Sequence, residues 1–577
     1  MADNRQEIKL KNKSSKSRIS KKAEDENRNN NKIFKKKVQI KKTLFSKYPR
    51  KISIISTKIY PYLFLFITAI SITKAQRVLV SKSSIVSMKF NRTGSVTILN
   101  PDFAHTPNRI YINTVQSSFS NTIEIQDMND EIKLEWDDSL NTCSYMFSNL
   151  INAVLIDMTG FDSSQVKDTS YMFNGCTVLT SINLDNFVTS SVTNMQCMFK
   201  DDITLYRIDV SNFNTASVTN MAGLFLSCSA FTSIDVSKFN TQAVTSMNGM
   251  FRACHGLLSL DLTNFDTRNV KDMFGMFAFC YELTSLKISN FDTSSVTNFG
   301  GFVSACRKLT SFYFPFLDTS SATYMAGFFQ YSRNLETIDI SNFKTNKVSH
   351  MEYMFDGCNK LTSINFGNID TSNLVYMQNM FQNCFALSSL DLSKFVTSKA
   401  VNMEKLFYDC RSLTSINILH FDTSEVTKMV SMFEKCSTLS TLNISTLHPN
   451  KCGDYSKMFL DCTNLRYVNF YNFYEDENTE YIDIIKNAYN GIKLCIHVTR
   501  QAPIYLAYTE NLLEECLISE QEEKITTDDI KIKSTGIIKY TEKIIKSTDN
   551  IQQKIETEKI SITSEYLNPL DQLKQII

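Results

Sequence analysis

The chain contains few of the residues that interrupt regular structure or supply common catalytic groups. Among 577 residues there are 8 prolines, 15 glycines, 1 tryptophan and 6 histidines. So few prolines and glycines favour a long regular array over a loop-rich domain. The histidines are scattered, and no G-x-S-x-G, glycine-rich phosphate loop or H-E-x-x-H sequence is present. We therefore expect a non-enzymatic protein with no cofactor and no metal site.

An excess of positive charge is confined to the N-terminus. The net charge is +2 overall, but residues 1–58 carry +14 and the remaining residues carry −12. An acidic body of this size repels phosphate, so we expect no nucleic-acid partner. The lysine-rich composition of residues 1–58 predicts a disordered basic arm.

A single uncharged apolar run, residues 60–73, follows the basic arm. Its length fits a signal-peptide core, and Thr73-x-Ala75 fits a small-residue cleavage site. A signal anchor reaching back to Ile52, a mis-assigned start and a buried core helix remain as alternatives. We predict a signal peptide or signal anchor at residues 59–75, which contacts the membrane if it is not cleaved.

The dominant feature of the sequence is a repeat of 26 residues. One phenylalanine, replaced once by valine, recurs at this spacing without a slip. The positions are Phe147, Phe173, Phe199, Phe225, Phe251, Phe277, Val303, Phe329, Phe355, Phe381, Phe407, Phe433 and Phe459. A fixed period of this length is typical of a solenoid, in which each unit stacks on its copy.

Within each unit the spacing of apolar residues changes. The L-x-x-L-x-L pattern of residues 179–184 predicts a short strand, and the three- and four-residue steps of residues 192–199 predict a helical face. Thr189, which recurs in most units, is expected to be an N-cap or turn residue. We therefore predict an α/β solenoid, a leucine-rich-repeat arc of about thirteen strand–turn–helix units with terminal caps.

The repeat consensus resembles a known family. The pattern L-T-S-I-x-L-x-x-F-x-T-S-x-V-T-x-M-x-x-M-F-x-x-C, over residues 143–473, is similar to the BspA-like branch of leucine-rich-repeat surface proteins. This resemblance implies a non-enzymatic cell-surface protein used in adhesion and in contact with host or matrix.

The segments on either side of the array lack its period. Residues 76–142 contain alternating stretches that predict a β-rich N-terminal cap, which would shield the first repeat. Residues 474–517 are predicted to form a C-terminal cap. Residues 518–577 are predicted to form a charged tail that is flexible or helical.

Ten of the 15 cysteines lie three residues after the repeat phenylalanine. Identical positions in successive units point the same way, so we predict buried free thiols there rather than disulfides. Cys495 and Cys516 are the predicted disulfide pair, inside the C-terminal cap. Asn91 and Asn443 begin N-x-S/T sequences and are candidate glycosylation sites if the protein is secreted.

The strand residue between two inward-facing hydrophobic residues is expected on the concave face. It is Asp or Asn in all but two units, where Lys287 and Tyr313 interrupt the row. Because binding hot spots favour aromatic and cationic residues, we predict a ligand patch centred on these two, with Phe316, Asp261 and Asp339 around them. A degenerate repeat that repacks itself is the alternative, and the carboxylates are expected to be solvated rather than to bind calcium.

Together these features predict an extracellular leucine-rich-repeat surface protein. It would mediate adhesion or bind a protein or glycan ligand through its concave face. The alternative is an intracellular repeat scaffold for protein–protein interaction. An enzyme would need an active site in residues 77–142 or 474–577, and no catalytic motif is present there.

Overall fold

In the computed structural model each 26-residue repeat forms one coil of a β-solenoid with about thirteen coils. The structure describes residues 83–312, 314–470, 479–489 and 492–495. The chain divides into two units, Met1–Ser84 and Ile85–Ile577, and the solenoid belongs to the second. The predicted repeat solenoid is confirmed.

Six strands precede the repeats and ten lie within them in the described residues. The first six are β1 (Ser84–Phe90), β2 (Gly94–Thr97), β3 (Arg109–Ile112), β4 (Val115–Ser117), β5 (Thr122–Ile125) and β6 (Ile132–Trp136). The others are β7 (Ala153–Gly160), β8 (Ser181–Asn183), β9 (Ser259–Asp261), β10 (Ser285–Lys287), β11 (Ser311–Phe312), β12 (Thr337–Asp339), β13 (Ser363–Asn365), β14 (Thr441–Asn443), β15 (Tyr467–Asn469) and β16 (Lys493–Cys495).

One sheet connects the N-terminal strands to the first coils. Its order is β4-β3-β6-β1-β7-β8, in which β1 pairs antiparallel with β7 and β7 pairs parallel with β8. The indole of Trp136 is buried and contacts the ring of Phe161 edge-on at 6.0 Å. The hydrophobic core is therefore continuous from the N-terminal strands into the array.

Coils pair in parallel and in register, so each residue faces its equivalent 26 residues away. Ser259 pairs with Ser285 and Asp261 with Lys287 in β9 and β10. A second row of parallel bridges runs along another side of the coils, from Thr142 to Lys428. Successive equivalent side chains are therefore separated by one strand spacing, about 4.8 Å.

The described residues contain no helix, so the predicted strand–turn–helix unit and the α/β class are wrong for this part of the chain. Each coil has two residues with left-handed backbone, four apart, such as Tyr171 (φ 56°) and Gly175 (φ 76°). The N–H of Met172 bonds the carbonyl of Thr169, three residues back, whereas that of Phe173 bonds the next coil. A helix needs consecutive right-handed residues and bonds to the fourth residue back, so the three- and four-residue steps here reflect turns.

The repeated threonine connects coils and does not cap a helix. The hydroxyl of Thr189 donates to the carbonyl of Asn214 at 3.0 Å and accepts from the N–H of Asn214 at 2.8 Å. The side chain is buried, and it supplies both bonds that a neighbouring strand would supply. Its predicted role as an N-cap is therefore wrong. The alternative, a turn residue, is confirmed, because the carbonyl of Thr189 accepts the N–H of Val192 at 3.0 Å.

The repeat phenylalanines form a column of stacked rings inside the solenoid. Centroids of neighbouring rings lie between 5.3 and 6.2 Å apart, as for Phe173 and Phe199 at 5.5 Å. Where Val303 interrupts the column, Phe302 and Phe328 occupy neighbouring positions with centroids 5.3 Å apart. The exchange of side chains between adjacent positions keeps the core filled.

The cysteines three residues after each phenylalanine form a second buried column. As predicted, these thiols are buried and free. Each Sγ donates to the phenylalanine carbonyl of the preceding coil, as Cys176 does to Phe147 at 3.0 Å. Ser332 makes the same bond to Val303 at 2.8 Å. A small donor at this position therefore satisfies that carbonyl, although the first coil carries the apolar Leu150 there.

The coil continues beyond residue 473, where the predicted array ends. The N–H of Tyr455 bonds the carbonyl of Glu480, and the N–H of Phe470 bonds the carbonyl of Cys495. Left-handed residues recur at Asp483 and Asn487, in register with the earlier coils. The repeat fades in the sequence here because isoleucines replace the Met-Phe pair.

Among the described residues, no helix has the length and apolarity to cross a membrane. The basic arm, the predicted signal or anchor at 59–75 and the tail at 518–577 lie outside the described residues.

Candidate functional site

Two rows of polar side chains run along the strand face of the solenoid. In β9, Ser259 and Asp261 are exposed on either side of buried Leu260. The serine position is Ser or Thr in most coils, and the aspartate position is Asp or Asn in most coils. The face therefore presents hydroxyls in one row and carboxylates and amides in the next, at one strand spacing.

The Asp and Asn residues of this row first stabilise their own turns. Oδ1 of Asp209, Asp235 and Asp391 each accepts the N–H of the serine two residues later, at 2.9 Å. Hydrogen bonds from those serines lower the pKa of each aspartate, with the hydroxyl contributing most. Such Asx-type turns favour Asp and Asn whether or not a ligand binds. The carboxylates are consequently ionised at neutral pH.

Lys287 and Asp261, two members of the predicted patch, form an ion pair with Nζ 3.0 Å from Oδ2. The hydroxyl of Thr263 first, and then Lys287, lower the pKa of Asp261 to about 2. Both side chains are more than half exposed, so solvent screens the pair and it contributes little to stability. Lys287 thus has a partner in the preceding coil.

Another predicted member of the patch, Phe316, lies outside the strand row. Phe316 lies on the turn after β11 with 67% of its surface exposed, at a position where other coils carry Asn. One such residue, Asn342, donates to the carbonyls of Phe314 and Leu317 at 3.2 and 3.3 Å. Tyr313 lies outside the described residues.

Asp339 borders a shallow depression of about 410 Å³ on the strand face. Its floor is formed by Phe312 and Ile338, and Asn365 donates to Oδ2 of Asp339 at 3.2 Å. The lining residues are Ser311, Phe312, Thr337, Ile338, Asp339, Ser363 and Asn365. A second depression of about 250 Å³ follows it along the face, beside Asp391 and Lys394. Sequence reasoning identified only Asp339, although Asn365 belongs to the same repeated row.

No cluster of three or more His, Cys, Asp or Glu residues suited to a metal occurs in the described part of the chain. Asn91 is exposed on a bend after β1. Asn443 lies half-buried in β14, and its Oδ1 accepts the N–H of Ser445 at 3.1 Å. Cys495 is buried and disulfide-bonded, and its predicted partner Cys516 lies outside the described residues, so that pairing stays a prediction.

The repeats match a known family model. The family described as "Mycoplasma protein of unknown function, DUF285" matches residues 141–257, 229–313, 255–360, 282–389, 313–417 and 377–491, which together exceed half of the chain. The family description does not include the BspA-like name. No curated protein matches the chain.

Two solved structures show a distant likeness. A leucine-rich repeat protein from Bacteroides ovatus is similar at 18% identity over 68% of this chain and 100% of that chain, with a TM-score of 0.35. The TLR13–ssRNA13 complex is similar at 15% identity over 56% of this chain and 50% of that chain, with a TM-score of 0.22. Both TM-scores are below 0.5, so neither likeness supports a conclusion about a ligand.

Proposed function

Since the chain belongs to the DUF285 family, whose description assigns no activity, we propose a function from the strand face of its solenoid. The protein is a non-enzymatic binding protein that recognises a protein or glycan through the two polar rows. It acts outside the cell, as a surface protein of the BspA-like type in adhesion.

Binding is supported by a row of ionised aspartates whose carboxylates can accept hydrogen bonds from a ligand. Oδ1 of Asp209, Asp235 and Asp391 accepts a backbone N–H in a turn. All three carboxylates are exposed on the strand face, where a ligand can reach them. Asp209 and Asp235 belong to successive coils and are fixed by their turns, so a ligand would meet a preorganised surface. The depression beside Asp339 adds a recess with an apolar floor.

The extracellular location is supported by the apolar run at 60–73 and by the resemblance of the repeat consensus. The alternative, an intracellular scaffold, predicts a different result in one experiment. Protease treatment of intact cells should release repeat peptides from a surface protein. Full protection of those peptides, with digestion after lysis, would contradict the extracellular location.

Ligand binding can be tested with the full-length chain on host or matrix extracts. The double variant Asp209→Lys/Asp235→Lys reverses the charge of two neighbouring acceptors on the strand face. A matched control, Ala216→Lys, adds a lysine at an exposed position outside the strand row. We expect the double variant to lose captured ligand and the control to retain it. Equal capture by both variants would rule out the strand face as the binding surface.

A further inference from the structure

A separate cluster of arginines and aromatic rings lies on the coil edge four residues after the repeat phenylalanine. The rings of His255 and Tyr281, in neighbouring coils, stack with centroids 4.4 Å apart and planes 3° from parallel. The guanidinium carbon of Arg307, in the next coil, lies 3.8 Å from the centre of the Tyr281 ring. Three planar groups from three successive coils therefore form one stack.

A second arginine joins the same cluster from the side. The guanidinium of Arg252 lies 4.7 Å from the centre of the Phe279 ring, and this ring contacts Tyr281 edge-on at 6.2 Å. We call Arg252, His255, Phe279, Tyr281 and Arg307 the arginine–aromatic edge. Its rings hold two guanidinium groups in fixed positions, which reduces the entropy lost when an anion binds.

The guanidinium groups of this edge have no carboxylate partner among the described residues. Arg411 occupies the position of Arg307 four coils later and lies over Phe385 at 4.3 Å in the same manner. Arg411 donates to both carboxylate oxygens of Asp409, at 2.6 and 2.9 Å. At the position equivalent to Asp409, the coil of Arg307 carries Ala305. The N–H donors of Arg307 therefore lack the carboxylate partner that Arg411 has in Asp409.

Positive charge recurs from coil to coil along this edge. Arg333 stands at the position of Arg307 one coil later, and Lys360 lies beside that position in the following coil. Neither has an ion-pair partner in the described part of the chain, whereas Lys308 lies 3.9 Å from Glu282. The charges therefore repeat at the coil spacing of about 4.8 Å.

We propose that the arginine–aromatic edge binds an acidic polysaccharide, a polyuronate chain whose carboxylates pair with Arg307 and Arg333. A polyuronate carries one carboxylate on each pyranose ring, so a short stretch of the chain offers carboxylates to both arginines. Guanidinium groups bind carboxylates through paired N–H donors. This site lies apart from the strand face and does not depend on the function proposed there.

The proposal is tested by titrating the full-length chain with oligogalacturonate in a calorimeter. Arg307→Ala should weaken binding by roughly tenfold or more, as for a lost charge-assisted contact. Tyr281→Ala should also weaken binding, because Arg307 loses the aromatic ring on which it stacks. Tyr281→Phe keeps the ring and should bind as the wild type does. The matched control Arg411→Ala should leave the affinity unchanged.

Three outcomes would overturn the proposal. One is no binding of oligogalacturonate by the wild-type chain, and another is equal binding by wild type and Arg307→Ala when both show the same circular dichroism. The third is tighter, Arg307-dependent binding of polyglutamate or single-stranded RNA, which would assign the edge to another polyanion. Asp209→Lys/Asp235→Lys should not reduce oligogalacturonate binding. A failure of the proposed strand-face function can therefore be distinguished from a failure of this proposal.

Discussion

Asp202 occupies the position that a cysteine occupies in ten other coils. Its side chain is fully buried, Oδ1 accepts the N–H of Cys176 at 3.0 Å, and Oδ2 has no hydrogen-bond partner. Burial raises the pKa of this carboxyl well above its ordinary value of 3.8. The protonated form can donate as the thiols do, whereas the ionised form would be an unpaired buried charge.

Asp202→Cys should therefore increase the free energy of unfolding by about 1–3 kcal/mol at neutral pH, measured by urea unfolding. The unfolded aspartate ionises as pH rises through 3.8 while the folded one stays protonated, so wild-type stability falls from that pH upward until the raised pKa is reached. The gain from the substitution should grow between about pH 4 and pH 7. A gain that does not change over this range would contradict the protonated state. Ser332→Cys, at a position that already has a donor, is the control and should be nearly neutral.

The left-handed turn positions make a second prediction at this scale. Ala253 has a φ of 58°, which strains a residue with a Cβ, whereas Gly275 holds a comparable conformation without strain. Ala253→Gly should stabilise the chain by about 0.5–1 kcal/mol in urea unfolding, after the greater entropy of unfolded glycine is subtracted. Ala278→Gly, at a buried position outside the left-handed series, should destabilise it. Destabilisation by both changes would contradict the strain at Ala253.

Part of this turn geometry was visible in the sequence. Glycine recurs at one register in five successive coils, Gly223, Gly249, Gly275, Gly301 and Gly327, which would be an unfavourable position inside a helix. Tyr171 and Lys405 occupy equivalent positions, and neither side chain indicates a positive φ. The turns could therefore be inferred from the alignment of repeats, but not from any one of them.

At the scale of a single element, the phenylalanine column carries much of the core. Phe381 is fully buried between Phe355 and Phe407, with centroid distances of 5.5 and 5.6 Å. Phe381→Ala should reduce the free energy of unfolding by about 3–5 kcal/mol, through lost burial and the cavity left behind. Phe316→Ala, at the exposed turn, is the control and should change it by less than about 0.5 kcal/mol. Equal effects would show that the column does not stabilise the fold.

The strands and inward-facing side chains follow from the L-x-x-L-x-L pattern, because alternation fixes which residues are buried. The candidate site was less predictable. To predict the ion pair between Lys287 and Asp261, one must know the register between coils. To predict the depression beside Asp339, one must know the shape of the folded surface. The difference between Arg307 and Arg411 depends on a residue two positions earlier, whose importance appears only when the side chains are placed.

At the scale of the whole molecule, equivalent coils should be interchangeable. Deletion of residues 382–407 joins Phe381 to Tyr408 and removes one complete period without changing the register. The product should remain folded, with a lower free energy of unfolding and an unchanged shape of the circular dichroism spectrum.

Deletion of residues 382–394, half a period, provides the contrast. It would place strand positions against turn positions in the next coil, so the parallel pairing and the phenylalanine column could not continue. We expect this variant to be unfolded or aggregated in size-exclusion chromatography. A folded half-period variant, or an unfolded full-period variant, would contradict the interchangeability of coils.

The hydrogen bonds of the array join each coil to its immediate neighbours, and this arrangement determines how the molecule carries a mechanical load. Tension between its two ends passes through every junction in series, so all junctions bear the same force. The weakest junction opens first, and the others remain closed. Stretching should therefore unwind the chain in discrete steps, one junction between coils at a time, and each step should dissipate mechanical work.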